Sequence, residues 1–246
     1  MVLVHAADNI QYLEARLNFM DEEYIAADAV SKLTHVEWVR IFRESVDEAK
    51  RELASQGIFT FLDAKIIYVT VRIVTPERLR WYLDDCISLK KQFPETIVGF
   101  DLVGYEDPGV TLETYVPELL DFQRRVQEAD LEIPFLFHAG ETTGDGSPAD
   151  RNLYDAILLK TKRIGHGFSI SRHPLLLDLC KRNGICIEVC PISNEVLKYT
   201  GSVAEHPLPN LLNRGVEVAL SNDDAAQFGN YGLSHVSVDI DRSDMK

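Results

Sequence analysis

Phe135-Leu136-Phe137-His138-Ala139-Gly140-Glu141 is an apolar run that stops abruptly at a histidine, a glycine and a carboxylate. A buried strand that delivers polar groups at its end is how a barrel enzyme presents its chemistry. Two further stretches end the same way, Arg163-Ile164-Gly165-His166-Gly167 and Val216-Glu217-Val218-Ala219-Leu220-Ser221-Asn222-Asp223-Asp224. Together the three ends offer two histidines and three carboxylates. A divalent ion takes neutral imidazole and carboxylate ligands, which leaves a second histidine and a second carboxyl to move protons. Each motif alone has a plainer reading: Glu141 as a helix cap beside a core histidine, His166 as a structural histidine, Asp223-Asp224 as the cap of a following helix. Their recurrence at three separate strand ends favours one shared site.

The chain around these ends alternates strands and helices. Residues 10–19 read as a first strand. Thr34-His35-Val36-Glu37 is a capping box, and Val36, Val39, Phe42, Val46, Ala49 and Leu53 follow it at helical spacing. Residues 65–71 form a β-branched run, Thr75-Pro76-Glu77 opens a helix, and residues 96–103 form the next strand. Residues 112–129 are expected to be helical, with Pro117 in the first turn or at a kink. After the central strand, the glycine-rich residues 140–150 lead into a helix. Residues 164–166 are strand-like, His173-Pro174 starts a helix that Gly184 ends, and residues 185–189, 208–213 and 216–220 read as strand, short helix and strand. About seven strands in alternation imply a parallel sheet with right-handed crossovers. A barrel and a doubly wound open sheet both place ligands at strand C-termini. Neither GxGxxG nor GxxxxGK[ST] occurs, which disfavours a dinucleotide or nucleotide-phosphate fold.

With 246 residues, 46% of them hydrophobic, the chain suits one α/β barrel domain spanning residues 1–246. A formal net charge of -14 argues against nucleic acid and anionic membrane as partners, since both require clustered Lys and Arg. No apolar run reaches the roughly 18 residues of a membrane span. The start, Met1 to Asp8, lacks the basic, long apolar pattern of a signal peptide, so the chain taken alone is expected to be cytosolic. Cys86, Cys180, Cys186 and Cys190 include no CxxC pair and are expected to be buried thiols. Asp101 is a candidate supporting carboxylate, and Gly104 could let backbone approach a flat ligand. His5, His35, His173, His206 and His235 are expected to have no ligand role.

Phe137 to Thr142, Arg163 to Phe168, Glu188-Val189-Cys190-Pro191-Ile192-Ser193-Asn194 and Ser221 to Asp224 resemble the adenosine deaminase family. Gly99 to Asp107 and Tyr12-Leu13-Glu14-Ala15-Arg16 are most similar to its adenosine deaminase-related growth factor branch, which is typically extracellular. The resemblance implies a zinc-dependent TIM (β/α)8 barrel of the metal-dependent hydrolase type. It also implies a purine nucleoside substrate, with adenosine and 2′-deoxyadenosine converted to inosine and 2′-deoxyinosine. By position, His138 and Asp223 match zinc ligands. Glu141 matches the carboxyl that protonates purine N1, and His166 the histidine that orients and deprotonates the zinc water. Asp224 matches the partner of N7, and Gly104 a backbone donor to N3.

Departures from the family pattern set further expectations. No His-x-His occurs, so the family's first strand, with two more zinc ligands, is expected to be lacking, as are the closing C-terminal helices. Ala225 stands where the family usually has proline. A non-catalytic purine-binding relative is therefore the alternative to an enzyme. AMP is the alternative substrate, with Arg16, Arg72 and Arg163 as candidates for a phosphate pocket. Homo-oligomer formation is left open.

Overall fold

The computed structural model describes residues 1–20 and 23–224; Ala225 and His235 lie outside them. A short helix α1 (Val2–Ala7) precedes β1 (Tyr12–Asn18). A small antiparallel hairpin, β2 (Glu23–Ile25) and β3 (Lys32–Thr34), then leads into α2 (His35–Ser55). The sequence gives little sign of this hairpin, because three-residue strands are too short to display a period of two. Thr34 caps α2 as the capping box requires. Its hydroxyl accepts from Glu37 N–H, and Glu37 Oε2 accepts from Thr34 N–H at 2.8 Å.

The alternation continues with β4 (Asp63–Val71), α3 (Pro76–Gln92), β5 (Ile97–Val103), a 3-10 turn (Leu112–Tyr115) and α4 (Val116–Glu128). Pro117 sits in the first turn of α4, where its missing N–H costs nothing. Then come β6 (His138–Ala139), α5 (Pro148–Leu158), β7 (Arg163–His166), α6 (Pro174–Asn183), β8 (Cys186–Val189), α7 (Pro191–Val196), α8 (Leu208–Asn213) and β9 (Val218–Leu220). Gly184 ends α6 at φ 61°, as expected of a left-handed cap. The six-residue α7 starts at Pro191, directly after Cys190, where the sequence pattern predicts no helix.

Seven of these strands run parallel, in the order β1-β4-β5 and β6-β7-β8-β9, and Phe100 bridges Phe135 to join the two runs. Together with the helices packed outside them, they form an α/β barrel. Among the described residues β1 and β9 pair on one side only, and residues of α1 lie along the opening between them.

The alternating directions of a strand explain the central stretch. Phe135 and Phe137 point outward and stack at 4.5 Å within the main core that the helices cover. Leu136 points inward to Ile67 and Val69. His138, two residues on, shares the inward parity of Leu136. The regular strand is shorter than its apolar run suggests, because only the bridge at Phe135 and the pairs at His138 and Ala139 join the ladders.

Candidate active site

Each sequence-predicted site residue lies at the C-terminal mouth of the barrel. His138, Glu141, His166, Asp223, Asp224 and Gly104 line one cavity of about 700 Å³, a volume suited to a small ligand. Val69, Val103, Tyr105, Leu197 and Tyr199 supply its apolar and aromatic walls.

His138 is held by Asp101. One carboxylate oxygen accepts the His138 backbone N–H at 2.8 Å and the other lies 2.6 Å from Nδ1. That grip leaves Nε2 as the free ligating atom. Burial acts to lower the His138 pKa, but the Asp101 charge overcomes it and the net shift is upward. Asp101 is fully buried and lies well below the usual carboxylate range. Burial alone would raise it, but His138 and Arg16 outweigh that. Asp101 is thus the supporting carboxylate that its place at the end of β5 suggested. Gly165 makes room for the histidine, since a Cβ there would come within 2.9 Å of His138 Nδ1.

Glu141 reaches the cavity because Gly140 turns at φ 74°. The buried Glu106 carboxylate fixes that turn by accepting Gly140 N–H at 3.2 Å and Glu141 N–H at 3.0 Å, while Asn152 donates to it at 2.8 Å. Burial pushes the Glu141 carboxyl up to about 7. His138 acts to lower it, and the negative charges of Asp223 and Glu106 add to the rise.

His166 adopts φ 58° and Asp223 φ 53°, left-handed conformations that cost roughly 1–2 kcal/mol each in a non-glycine residue. His166 Nε2 stands 3.6 Å from Asp223 Oδ2, and its Nδ1 stands 3.6 Å from Glu141 Oε1. Ser193 donates to Asp223 Oδ2 at 2.7 Å.

Among the described residues two sets of metal-capable atoms lie within 4.8 Å of one another, His166, Cys190 and Asp223 at the cavity and Asp145, Asp150 and His173 outside its lining. The set at the cavity differs from the expected pair of His138 and Asp223. Burial pushes the Cys190 thiol up and so disfavours the thiolate that would bind a metal. His138 is pre-oriented through Nδ1 in the carboxylate–histidine manner of metal sites, and its ring lies 5.1 Å from that of His166. The donor chemistry of His138 and Asp223 suits a divalent ion, although two such ligands are one fewer than a catalytic zinc site usually keeps.

The three arginines considered for a phosphate are committed to the protein. Arg16 donates to Asp101 at 2.8 Å and to Glu188 at 2.5 Å, while Arg163 pairs with Glu188 and Glu14. Arg72 is buried, donates to the carbonyls of Leu102 and His138, and stands 3.5 Å from Glu106. A chain of charges from Glu14 through Arg163, Glu188 and Arg16 to Asp101 thus ties β1 to β5, β7 and β8.

Sequence reasoning passed over Glu106, Asn194 and His206. Asn194 and Glu106 lie inside the motifs that carry the resemblance, but their work is to orient neighbours. His206, expected to have no ligand role, is buried, and its Nε2 lies 3.0 Å from Asn194 Oδ1.

The fold and the converging groups define an α/β barrel with titratable and metal-capable side chains at its C-terminal mouth. The adenosine deaminase family profile matches residues 1–243, and the chain belongs to that family. It is 39% identical over 228 residues to an adenosine deaminase of Aedes albopictus, covering 93% of this chain and 40% of that protein. It is 36% identical over 232 residues to human adenosine deaminase 2, covering 93% of this chain and 42% of that protein. The chain therefore spans about two fifths of the length of these relatives. Among solved structures, adenine deaminase from Arthrobacter aurescens superposes with a TM-score of 0.71 at 21% identity, covering 94% of this chain and 62% of that one. That likeness supports the barrel.

Proposed function

We propose that the cavity binds a purine nucleoside and that its 6-amino group is removed hydrolytically, adenosine and 2′-deoxyadenosine giving inosine and 2′-deoxyinosine. The observation that carries this reading is the Glu141 carboxyl, buried at the cavity wall beside His166 with its pKa raised to about 7. Attack of water at C6 interrupts the aromatic ring and moves negative charge onto N1. A carboxyl that still holds its proton near neutrality delivers it there, as a general acid must. Gly104, at φ 111°, brings backbone to the cavity wall where N3 of a bound purine would lie. Asp224 shares the wall, and partial burial followed by the charge of Asp223 raises its carboxyl from the usual range. In its protonated form that carboxyl donates to a ring acceptor such as N7.

His138 and Asp223 are the residues that would hold a zinc ion. When bound, the ion supplies a water whose pKa is brought toward neutrality. The engagement of Arg16, Arg72 and Arg163 with protein carboxylates favours a nucleoside over AMP.

The test is adenosine turnover by the purified 246-residue chain with zinc added, followed as the ultraviolet change to inosine, with circular dichroism to establish folding. The expected result is turnover that falls at least about 100-fold in Glu141→Ala. A folded wild-type sample that binds adenosine without converting it would overturn the enzymatic reading in favour of a binding protein.

A further inference from the structure

A buried relay behind His166 starts at a backbone amide, whose polarity leaves no choice. Leu208 N–H donates to Nδ1 of His206 at 3.1 Å, so that nitrogen carries a lone pair. His206 then holds its proton on Nε2, which lies 3.0 Å from Asn194 Oδ1 and donates to it. The Asn194 amide is thereby turned with its NH2 toward His166, Nδ2 lying 3.1 Å from Nδ1. A nitrogen that accepts this bond carries no hydrogen, so the proton of neutral His166 is on Nε2.

Turning the Asn194 amide over would make both nitrogens of His206 acceptors, which only an imidazolate anion could satisfy. Protonating His206 would set an N–H against the Leu208 N–H. Only one polarity of the relay is therefore consistent from end to end. Water has little access to disturb it, because Asn194, His166 and His206 are all buried. Burial pushes His206 down to about 4, and burial, then the charge of His138, holds His166 well below its ordinary value. His166 Nε2 points into the cavity region beside Asp223, whose oxygen at 3.6 Å is too distant for a good hydrogen bond.

We propose, resting on the reading of the cavity as a deaminase site, that Asn194 and His206 are positioning residues that lock His166 as its Nε2–H tautomer. In that form His166 orients the attacking water by donating a hydrogen bond and does not accept the water's proton; of the water's two protons, one returns to Glu141 after that carboxyl has given its own to N1, and the other leaves with the amine as ammonia. This replaces the deprotonating half of the role that the family resemblance implies for it.

The test is long-range 1H–15N correlation NMR of the metal-free 246-residue chain in the presence of a chelator. The His166 signals are assigned by their loss in His166→Gln. The wild type is expected to show a protonated Nε2 and a bare Nδ1. Asn194→Asp substitutes a carboxylate that can only accept, and is expected to move the proton to Nδ1. His206→Gln removes the fixed polarity and is expected to populate both tautomers. Protonated Nδ1 in the wild type, or unchanged Nε2–H in Asn194→Asp, would overturn the assignment. Because the readout needs no turnover, its failure is separate from a failure of the deaminase reading.

Discussion

The two halves of the barrel are built differently. β1, β4 and β5 are seven, nine and seven residues long, and their polar side chains are spent on one another, as Arg16 on Asp101 and Lys65 on Asp63. β6, β7, β8 and β9 have only two to four residues each, and the chain leaves β6 and β7 through positive φ at Gly140, His166 and Gly167. Asp223, three residues past β9, is positive as well. The long strands are a scaffold with satisfied ladders. The short ones give up ladder hydrogen bonds to aim side chains, which is how strain accumulates at functional sites. Asp101 links the halves: it belongs to the scaffold and fixes His138, the first group of the reactive half.

Removing that link should have the largest effect on stability. Asp101→Ala leaves Arg16 short of a partner and His138 unheld, and is expected to destabilise the chain by about 3 kcal/mol, near the lower end for a broken buried pair because Arg16 is partly exposed. Urea unfolding measures it. A loss below about 1 kcal/mol would show that the halves do not depend on this contact.

A smaller effect tests the cost carried by the reactive half. The folded pKa of Glu141 is raised from 4.5 to about 7. Between those values the unfolded chain has released a proton that the folded chain keeps, so stability falls as pH rises through the window. Glu141→Gln is expected to flatten that fall in the metal-free chain and to raise stability at pH 8 by on the order of 2–3 kcal/mol. Thermal denaturation at pH 5 and pH 8 reads the difference, and parallel slopes for the two proteins would contradict it.

The smallest effect is confined to the scaffold. Thr34→Ala removes the α2 cap and is expected to cost about 1 kcal/mol while leaving ligand binding at the cavity unchanged. Altered binding would show that the scaffold and site are coupled more widely than through Asp101.

Much of the fold was legible because strand and helix patterns are local. The capping box at Thr34, Pro76 at the start of α3 and Gly184 at the end of α6 each act within a turn of themselves, and each was found where expected. The hairpin at β2 and β3 and the short α7 were not legible. Their few residues carry no period, and tertiary contacts such as the stacking of Tyr24 on Trp38 help hold them.

The site divides along the same line. Sequence by itself determined which reactive groups stand at strand ends, because an apolar run that stops at His138, His166 or Asp223 is a property of consecutive residues. Only the tertiary structure decided which state those groups are in. The proton that Glu141 keeps near neutrality comes from burial among charges brought by other strands. The hold on His138 comes from Asp101, 37 residues away, and the orientation of His166 from Asn194, 28 residues away. Such pairings depend on the packing of distant segments in a medium that screens charge weakly, and no local pattern encodes them.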